Sequence, residues 1–412
     1  MTNHLNLHRL FNNRDGYLGQ LKVADDDRDT LSRAREIIRK TLRDAFRNWE
    51  RFVAKSDLFE AHTLRQGAEI KFSGPKFRIQ GSFAYHTAND CQHPPHQQID
   101  QDDGMFLPVS FIASNGSATP RITAKGYFKL VETALKPVCE NEGWVLNPAP
   151  LKGSCVRIGL SQRLHLDIPL FAVSDETFEN LRESVAKALM TRNDSAMDAA
   201  SDREDDQLPE DVYKALQDND IVLAHRKDGW IGSDPRKLED WFNVAIDTYG
   251  DVIRRLSRSF KGWRDAHWAE CDLSSICIMA AVVKAVSNLH PFEDNRDDLC
   301  LLAVGKEMVK IFASTIENPA FPGDREKSLC KEWSLAFRAE IQNTLATTCT
   351  NLEKALYSTK HKGLALQSAR AAFGDRVPED EGLISFAGAA AFVRVVDPVR
   401  QPKPMVPRTT SG

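Results

Sequence analysis

The stretch Ile99-Asp100-Gln101-Asp102-Asp103 sets three carboxylates within four residues, seventeen residues downstream of the pair Gly81-Ser82. Side chains two positions apart on a strand leave from the same face, so Asp100 and Asp102 should project together with Cα atoms about 7 Å apart, and Asp103 should point the other way. A fourth carboxylate stands in Leu164-His165-Leu166-Asp167-Ile168-Pro169. There Leu164, Leu166, Ile168 and Leu170 alternate with Arg163, His165, Asp167 and Pro169, which predicts a half-buried strand with Asp167 on its polar face.

Two parallel carboxylates suit hard cations such as Mg²⁺, which take oxygen ligands from one or two protein carboxylates and from substrate phosphates. A third carboxylate on a neighbouring strand completes a two-ion site, with ions roughly 4 Å apart that steady the attacking and leaving oxygens of a phosphoryl displacement. The run Gln80-Gly81-Ser82-Phe83-Ala84-Tyr85-His86-Thr87 supplies the other half. Glycine permits close backbone approach to a phosphate, and the Ser82 hydroxyl can donate to a triphosphate oxygen. Taken singly, each motif reads as a turn or a solvated acidic loop. Their order and separation, with Asp167 following on an alternating strand, favour template-independent nucleotidyl transfer.

The 412 residues are 42% hydrophobic and 27% charged, with a net charge of −4, enough for two packed domains. The N-terminus lacks a basic region followed by an apolar core, and the most apolar stretches, 276–286 and 384–396, are short or interrupted by Lys284 and Arg394. The expectation is a soluble cytoplasmic protein with no membrane partner. Eight cysteines, at 91, 139, 155, 271, 277, 300, 330 and 349, form no C-x-x-C pair and read as reduced core thiols. His86, Cys91, His93 and His96 offer zinc-type ligands. The flanking Pro94-Pro95 and polar surroundings favour instead an exposed loop lining the mouth of the acidic site.

A long amphipathic helix is expected over 27–55, with Leu31, Ala34, Ile38, Leu42, Ala45, Trp49 and Phe52 on its apolar face. The opposite face carries Arg33, Arg35, Arg39, Lys40, Arg43, Arg47 and Arg51. With Glu36, Asp44 and Glu50 threaded among them and an acidic chain overall, this reads as a solvated face rather than a nucleic-acid surface. Residues 193–212 are acidic and poor in bulky apolar side chains, as in a linker or surface loop. Beyond them the periodicity is almost entirely helical. The expected organisation is a catalytic lobe over 1–205, a helical lobe over 206–395 and a Pro-rich tail over 396–412.

Six segments together carry a resemblance: Gln80-Gly81-Ser82-Phe83-x-Tyr85-x-Thr87, Ile99-Asp100-x-Asp102-Asp103-Gly104, His165-Leu166-Asp167-Ile168-Pro169, Ser233-Asp234-Pro235-x-x-x-Glu239-Asp240-Trp241-Phe242, Trp263-Arg264-Asp265-Ala266-x-Trp268 and Ala372-Phe373-Gly374-Asp375-Arg376-Val377. With Phe11-Asn12-Asn13-Arg14-Asp15-Gly16, they resemble the bacterial cGAS/DncV-like nucleotidyltransferases, in the dinucleotide-cyclase branch, over nearly the whole chain. The resemblance implies an α/β (α+β) fold: a DNA polymerase β-like nucleotidyltransferase core with a mixed sheet, then an all-helical domain, with a cleft between them. The helix 27–55 would be the spine joining the lobes.

The resemblance further implies catalytic and metal-binding roles for Asp100, Asp102 and Asp167, with two Mg²⁺ ions or Mn²⁺ in their place. Nucleotide contacts would come from Gln80, Gly81, Ser82 and Tyr85. Ser233 and Asp234 would touch an acceptor base, although Asp234 before Pro235 also reads as a helix cap. Arg157, Lys261, Ser274 and Ser275 would grip phosphates, with an ordinary basic helix face and an N-cap as the plain alternative for Lys261 and the serines. The implied activity joins and cyclises two NTPs, ATP and GTP, in anti-phage signalling through a separate effector, with the chain acting as a monomer. A tail ending at Gly412 implies conjugation of its carboxylate by an E1/E2-like enzyme. The competing readings are a nucleotidyltransferase that modifies a small molecule or protein without cyclising, and a catalytically silent nucleotide or RNA sensor.

Overall fold

A computed structural model describes residues 5–59, 72, 74–114, 117–192, 208, 210–216, 220–293 and 295–387. The tail expected over 396–412, Gly412 included, lies outside the described residues, as do residues 193–207 and 209 of the acidic segment 193–212.

Two eleven-residue strands, β3 (Ile99–Val109) and β8 (Leu164–Ser174), run parallel at the centre of a seven-stranded mixed sheet. β2 (Lys76–Gln80) lies antiparallel on the outer side of β3. The far edge of β8 is shared: its first half pairs with β7 (Cys155–Gly159), which in turn pairs with β6 (Val145–Leu146). Its second half pairs with β9 (Ile221–His225), which turns back into β10 (Gly229–Gly232). A separate hairpin of β4 (Phe111–Ser114) and β5 (Ser117–Pro120) follows β3.

The period-2 pattern decides what each sheet face meets. Met105, Leu107, Leu166, Ile168 and Leu170 pack on Ile38, Leu42 and Phe46 of helix Asp25–Arg47 and on Tyr127, Leu130 and Val131 of helix Ala124–Glu142. Toward the C-terminal ends of the strands the opposite face buries Phe106 and Phe171, stacked 4.7 Å apart, under Phe178 and Tyr213. At their N-terminal ends that same face is left to the carboxylates.

The spine helix is shorter than the 27–55 expected. It spans Asp25–Arg47, and a 3₁₀ turn follows at Trp49–Arg51. Asn48 leaves helical geometry and its side chain donates to the Asp44 carbonyl, which frees Trp49 to pack edge-on against Phe59 at 5.2 Å. Arg39 also departs from expectation. It is buried, and its guanidinium makes two bonds, of 2.7 and 2.5 Å, to the buried Asp103 on the spine side of the sheet. Arg33 pairs with Glu142, and Arg47 with Asp44.

The packing does not divide at 205/206. β9, β10 and the helix Glu210–Ala215 belong to the sheet lobe. Leu5, Leu7, Leu10, Phe11, Tyr17 and Leu21 enter the core of the helical lobe, beside Phe242, Phe260 and Trp263. Phe11 and Tyr17 meet Phe373 at 5.3 and 5.4 Å, so the segments around Phe11 and Phe373 are packing partners. β1 (Leu5–Asn6) pairs with β11 (Ser385–Phe386), which ties the two ends of the described chain together. Among the described residues, no helix is long and apolar enough to cross a membrane.

Candidate active site

The register of β8 with its neighbours builds the site row by row. One row across the sheet is Asp102, Asp167 and Arg157; the next is Asp100, His165 and Gly159. All these positions share one face, because paired residues on adjacent strands point the same way. Asp103 points to the other face, as its spacing requires.

Gly81 begins a short helical turn, Gly81–Ala84, directly after β2. Its φ of +63° belongs to glycine, and a Cβ there would stand 2.2 Å from Asp102 Oδ2. Backbone and carboxylate therefore sit as close as they can. Gly81→Ala is expected to push the Asp102 carboxylate aside and lower turnover by about 100-fold, the scale of a 1 Å misplacement. Steady-state rates beside an unchanged circular-dichroism spectrum measure this.

Between the lobes lies a cleft of about 650 Å³, a size suited to small-molecule substrates. Gly81, Ser82, Asp100 and Asp102 line it from the sheet lobe; Lys261, Arg264, Trp268, Ser275, Ile276 and Met279 line it from the helices Val252–His267 and Ser275–Leu289 and the turn between them. Tyr85 closes one end, its ring 5.7 Å from Phe242. The loop carrying Cys91 and His96 lines the mouth, as expected; His96 pairs with Glu270, and Gln97 Nε2 donates to the Asp265 and Trp268 carbonyls at 3.1 and 2.7 Å, fastening one lobe to the other.

Electrostatics set an acidic floor against a wall whose cations, Lys261 and Arg264, stand among Asp265, Glu270 and Asp272, with Arg264 donating to Asp265 Oδ1 at 2.8 Å. Burial, then the neighbouring Asp100 and Asp167, push the Asp102 carboxyl well above the ordinary 3.8. Burial acts the same way on Asp100, but His165, Arg157 and Lys152 outweigh it and hold that carboxyl low. Across the cleft, burial followed by Arg264 drives the Lys261 ammonium down to about 8. Lys261 Nζ donates to the Thr87 carbonyl at 2.7 Å. Arg264 donates to Ser275 Oγ at 3.2 Å and the Leu273 carbonyl at 3.0 Å.

Not every residue expected at the site lines it. Asp167 is buried behind the floor, where each oxygen accepts one bond from Arg157, at 2.6 and 2.5 Å, and keeps a further lone pair. Arg157 thus stands on a carboxylate rather than open to a phosphate, a consequence of its register opposite Asp167. Gln80 packs against Gly104 beneath the cleft. Ser274 caps helix Ser275–Leu289 by accepting from Cys277 N, while Ser275 faces the cleft. Ser233 and Asp234 are not among the lining residues; Asp234 accepts from the Arg236 backbone and guanidinium, which is the capping role its position before Pro235 suggested. Arg264 and His165 were not anticipated. Arg264 lies three residues after Lys261 on one helix face, a spacing that could have revealed it.

The donor set fits a divalent cation. Asp100, His165 and Asp167 each offer a ligand atom, all within 4.8 Å of one another, the only such cluster among the described residues, and Asp102 stands beside them with its carboxyl raised by burial and by Asp100 and Asp167.

Residues 75–171 match the family model of the cyclic GMP-AMP synthase DncV-like nucleotidyltransferase domain, and residues 250–386 match that of the cyclic GMP-AMP synthase C-terminal domain. The chain belongs to the DncV-like nucleotidyltransferases. A cyclic GMP-AMP synthase of Vibrio cholerae is 29% identical over 99% of each chain, and one of Escherichia coli strain TW11681 is 28% identical over 95% of each. The Vibrio cholerae di-nucleotide cyclase DncV, solved with GTP and 5MTHFGLU2, superposes with a TM-score of 0.73 at 26% identity, covering 94% of this chain and all of that one. The same enzyme with the linear intermediate 5′ pppA(3′,5′)pG superposes at 0.72. The α/β nucleotidyltransferase core and helical domain of this DncV-like enzyme are therefore as the sequence led us to expect.

Proposed function

We propose that this DncV-like nucleotidyltransferase joins ATP and GTP through a linear dinucleotide and closes it to a cyclic GMP-AMP-like messenger, releasing pyrophosphate at each step. The observation that carries the reading is the cleft itself: Asp100, Asp102 and Ser82 line one side of about 650 Å³ and Lys261, Arg264 and Ser275 the other. Relatives named for this activity, and the DncV structure titled with a linear intermediate, support it.

Asp100, Asp102 and Asp167 would hold the cations, two Mg²⁺ or Mn²⁺, whose bound charge polarises the phosphorus under attack and steadies the leaving oxygen. Ser82 donates to the donor triphosphate, and Lys261 and Arg264 offset its charge. Tyr85, Ile276 and Met279 give flat and apolar surface for the bases. Positioning and charge neutralisation do most of the work, since phosphoryl transfer asks little covalent chemistry of a protein. Lys261 gives the free enzyme a pH signature: kcat/KM is expected to fall as pH rises through about 8, where the ammonium loses its proton, and Lys261→Arg should remove that limb.

Purified protein with all four NTPs and Mg²⁺ or Mn²⁺, products resolved by nuclease digestion and mass spectrometry, tests the reading. A phosphatase-resistant cyclic dinucleotide, absent from Asp100→Ala/Asp102→Ala, is the expected result; mononucleotide adducts alone would favour the non-cyclising transferase. The proposal extends to anti-phage signalling through an effector of the product. By resemblance it also extends to capture of the Gly412 carboxylate by an E1/E2-like enzyme, which predicts that deleting Gly412 abolishes conjugates in cells.

A further inference from the structure

The second row of the site raises a question the carboxylates alone do not answer. His165 is 6% exposed, and its Nδ1 lies 3.2 Å from Gln98 Oε1. The Gln98 amide is fixed from the other end, where its Nε2 donates to the Ser161 and Gln162 carbonyls at 3.4 and 3.2 Å. Oε1 is therefore the acceptor, His165 Nδ1 carries the hydrogen, and in the neutral ring Nε2 presents a lone pair.

That lone pair faces Asp100. Nε2 and Asp100 Oδ1 are 2.9 Å apart, yet both atoms are buried and neither has a hydrogen-bond partner of good alignment. In the cation-free chain a proton on Nε2 can bridge these two atoms, which is how His165 holds the Asp100 carboxyl low; a bound cation can take that proton's place between them. Adjacent ligands about 2.1 Å from one octahedral ion stand about 3.0 Å apart, which is the separation found. A ligating histidine typically donates its other ring N–H to an oxygen acceptor that sets its tautomer, and Gln98 does this. The ligand atoms of Asp100, His165 and Asp167 also lie within 4.8 Å of one another.

We infer that His165 Nε2 is a direct ligand of the cation held by Asp100, so that one ion of this site sees nitrogen as well as oxygen. This rests on the reading of the acidic floor as a cation site and adds a ligand to it. The consequence is a changed metal preference. Imidazole favours transition metals over Mg²⁺, and affinity rises from Mn²⁺ to Co²⁺, so the order expected is Mg²⁺ weakest, then Mn²⁺, then Co²⁺. Gln98 is a positioning residue that acts through the imidazole.

The full-length protein, stripped by chelation and given less than one equivalent of Mn²⁺ alone, is read by electron spin-echo envelope modulation with natural and ¹⁵N-labelled histidine. A nitrogen modulation that changes on labelling is expected. His165→Gln should remove it and weaken Mn²⁺ binding by about 10- to 100-fold while affecting Mg²⁺ less; Gln98→Leu should keep the nitrogen signal and weaken binding about 10-fold. If His165→Gln fails to fold, the labelled wild type and Gln98→Leu carry the test. Bound Mn²⁺ without histidine nitrogen overturns the inference and leaves the carboxylate site standing. No bound Mn²⁺ overturns the inference together with the cation site on which it rests.

Discussion

Asp102→Asn is expected to lower nucleotidyl transfer by about 10³-fold or more and, at the same time, to raise the melting temperature of the cation-free protein. The loss follows from the several kcal/mol of transition-state charge stabilisation that a correctly held metal supplies, each 1.36 kcal/mol being tenfold in rate. The gain follows from electrostatics: Asp102 is buried beside Asp100 and Asp167, and its carboxyl is raised by that burial and by both neighbours. An amide of the same shape removes the repulsion. The pH dependence has a definite sign. A carboxyl whose folded value lies above the ordinary 3.8 binds more protons in the folded chain, so its contribution is full below about 3.8 and is lost as pH rises through the folded value. Thermal unfolding in chelator from pH 4 to 8 should show wild type losing ground to Asp102→Asn as pH increases. Added Mg²⁺ should narrow the gap by stabilising only the wild type. An asparagine variant that melts no higher than wild type at neutral pH in chelator would remove the electrostatic account.

Arg39→Met is expected to destabilise the sheet lobe by about 3–5 kcal/mol, because it strands the Asp103 carboxylate, 1% exposed, without its partner. On a lobe of this size that is a fall in melting temperature on the order of 10 °C. The double variant Arg39→Met/Asp103→Leu should regain most of the loss, since two apolar groups of similar volume leave no buried charge. Asp103 is the residue next to Asp102 on β3, so the single variant should also loosen the floor of the cleft. A melting temperature within 2 °C of wild type for Arg39→Met would mean that this pair contributes little.

The catalytic strands were legible because period-2 alternation and the spacing of Asp100, Asp102 and Asp167 state directly which side chains share a face. The opposite orientation of Asp103 was legible for the same reason. Register was not. Nothing local in Cys155–Gly159 says that its strand shares the edge of β8 with β9, and only that pairing sets Arg157 on Asp167. His165 lay on the face already assigned to Asp167, but its worth depends on Gln98 and on Asp100 opposite, contacts made by folding. The lobe boundary was misjudged because Leu5, Phe11 and Tyr17 have an apolar pattern that fits either core, and their partner Phe373 is distant in sequence. Arg39 was placed on a wet face because helical periodicity cannot foresee a carboxylate on the adjoining sheet.

The pairing of Leu5–Asn6 with Ser385–Phe386 has a temporal consequence. At about 5–20 residues per second on the ribosome, roughly 20 to 80 s separate the emergence of the two strands. The sheet lobe, complete by Gly232, can fold during that wait and display its carboxylates early. Lys261, Arg264 and Ser275 belong to a lobe whose core also needs Phe373 and Ile384, so this wall of the cleft is among the last parts of the molecule to be secured. A half-made chain carries the acids without Lys261, Arg264 and Ser275 secured opposite them.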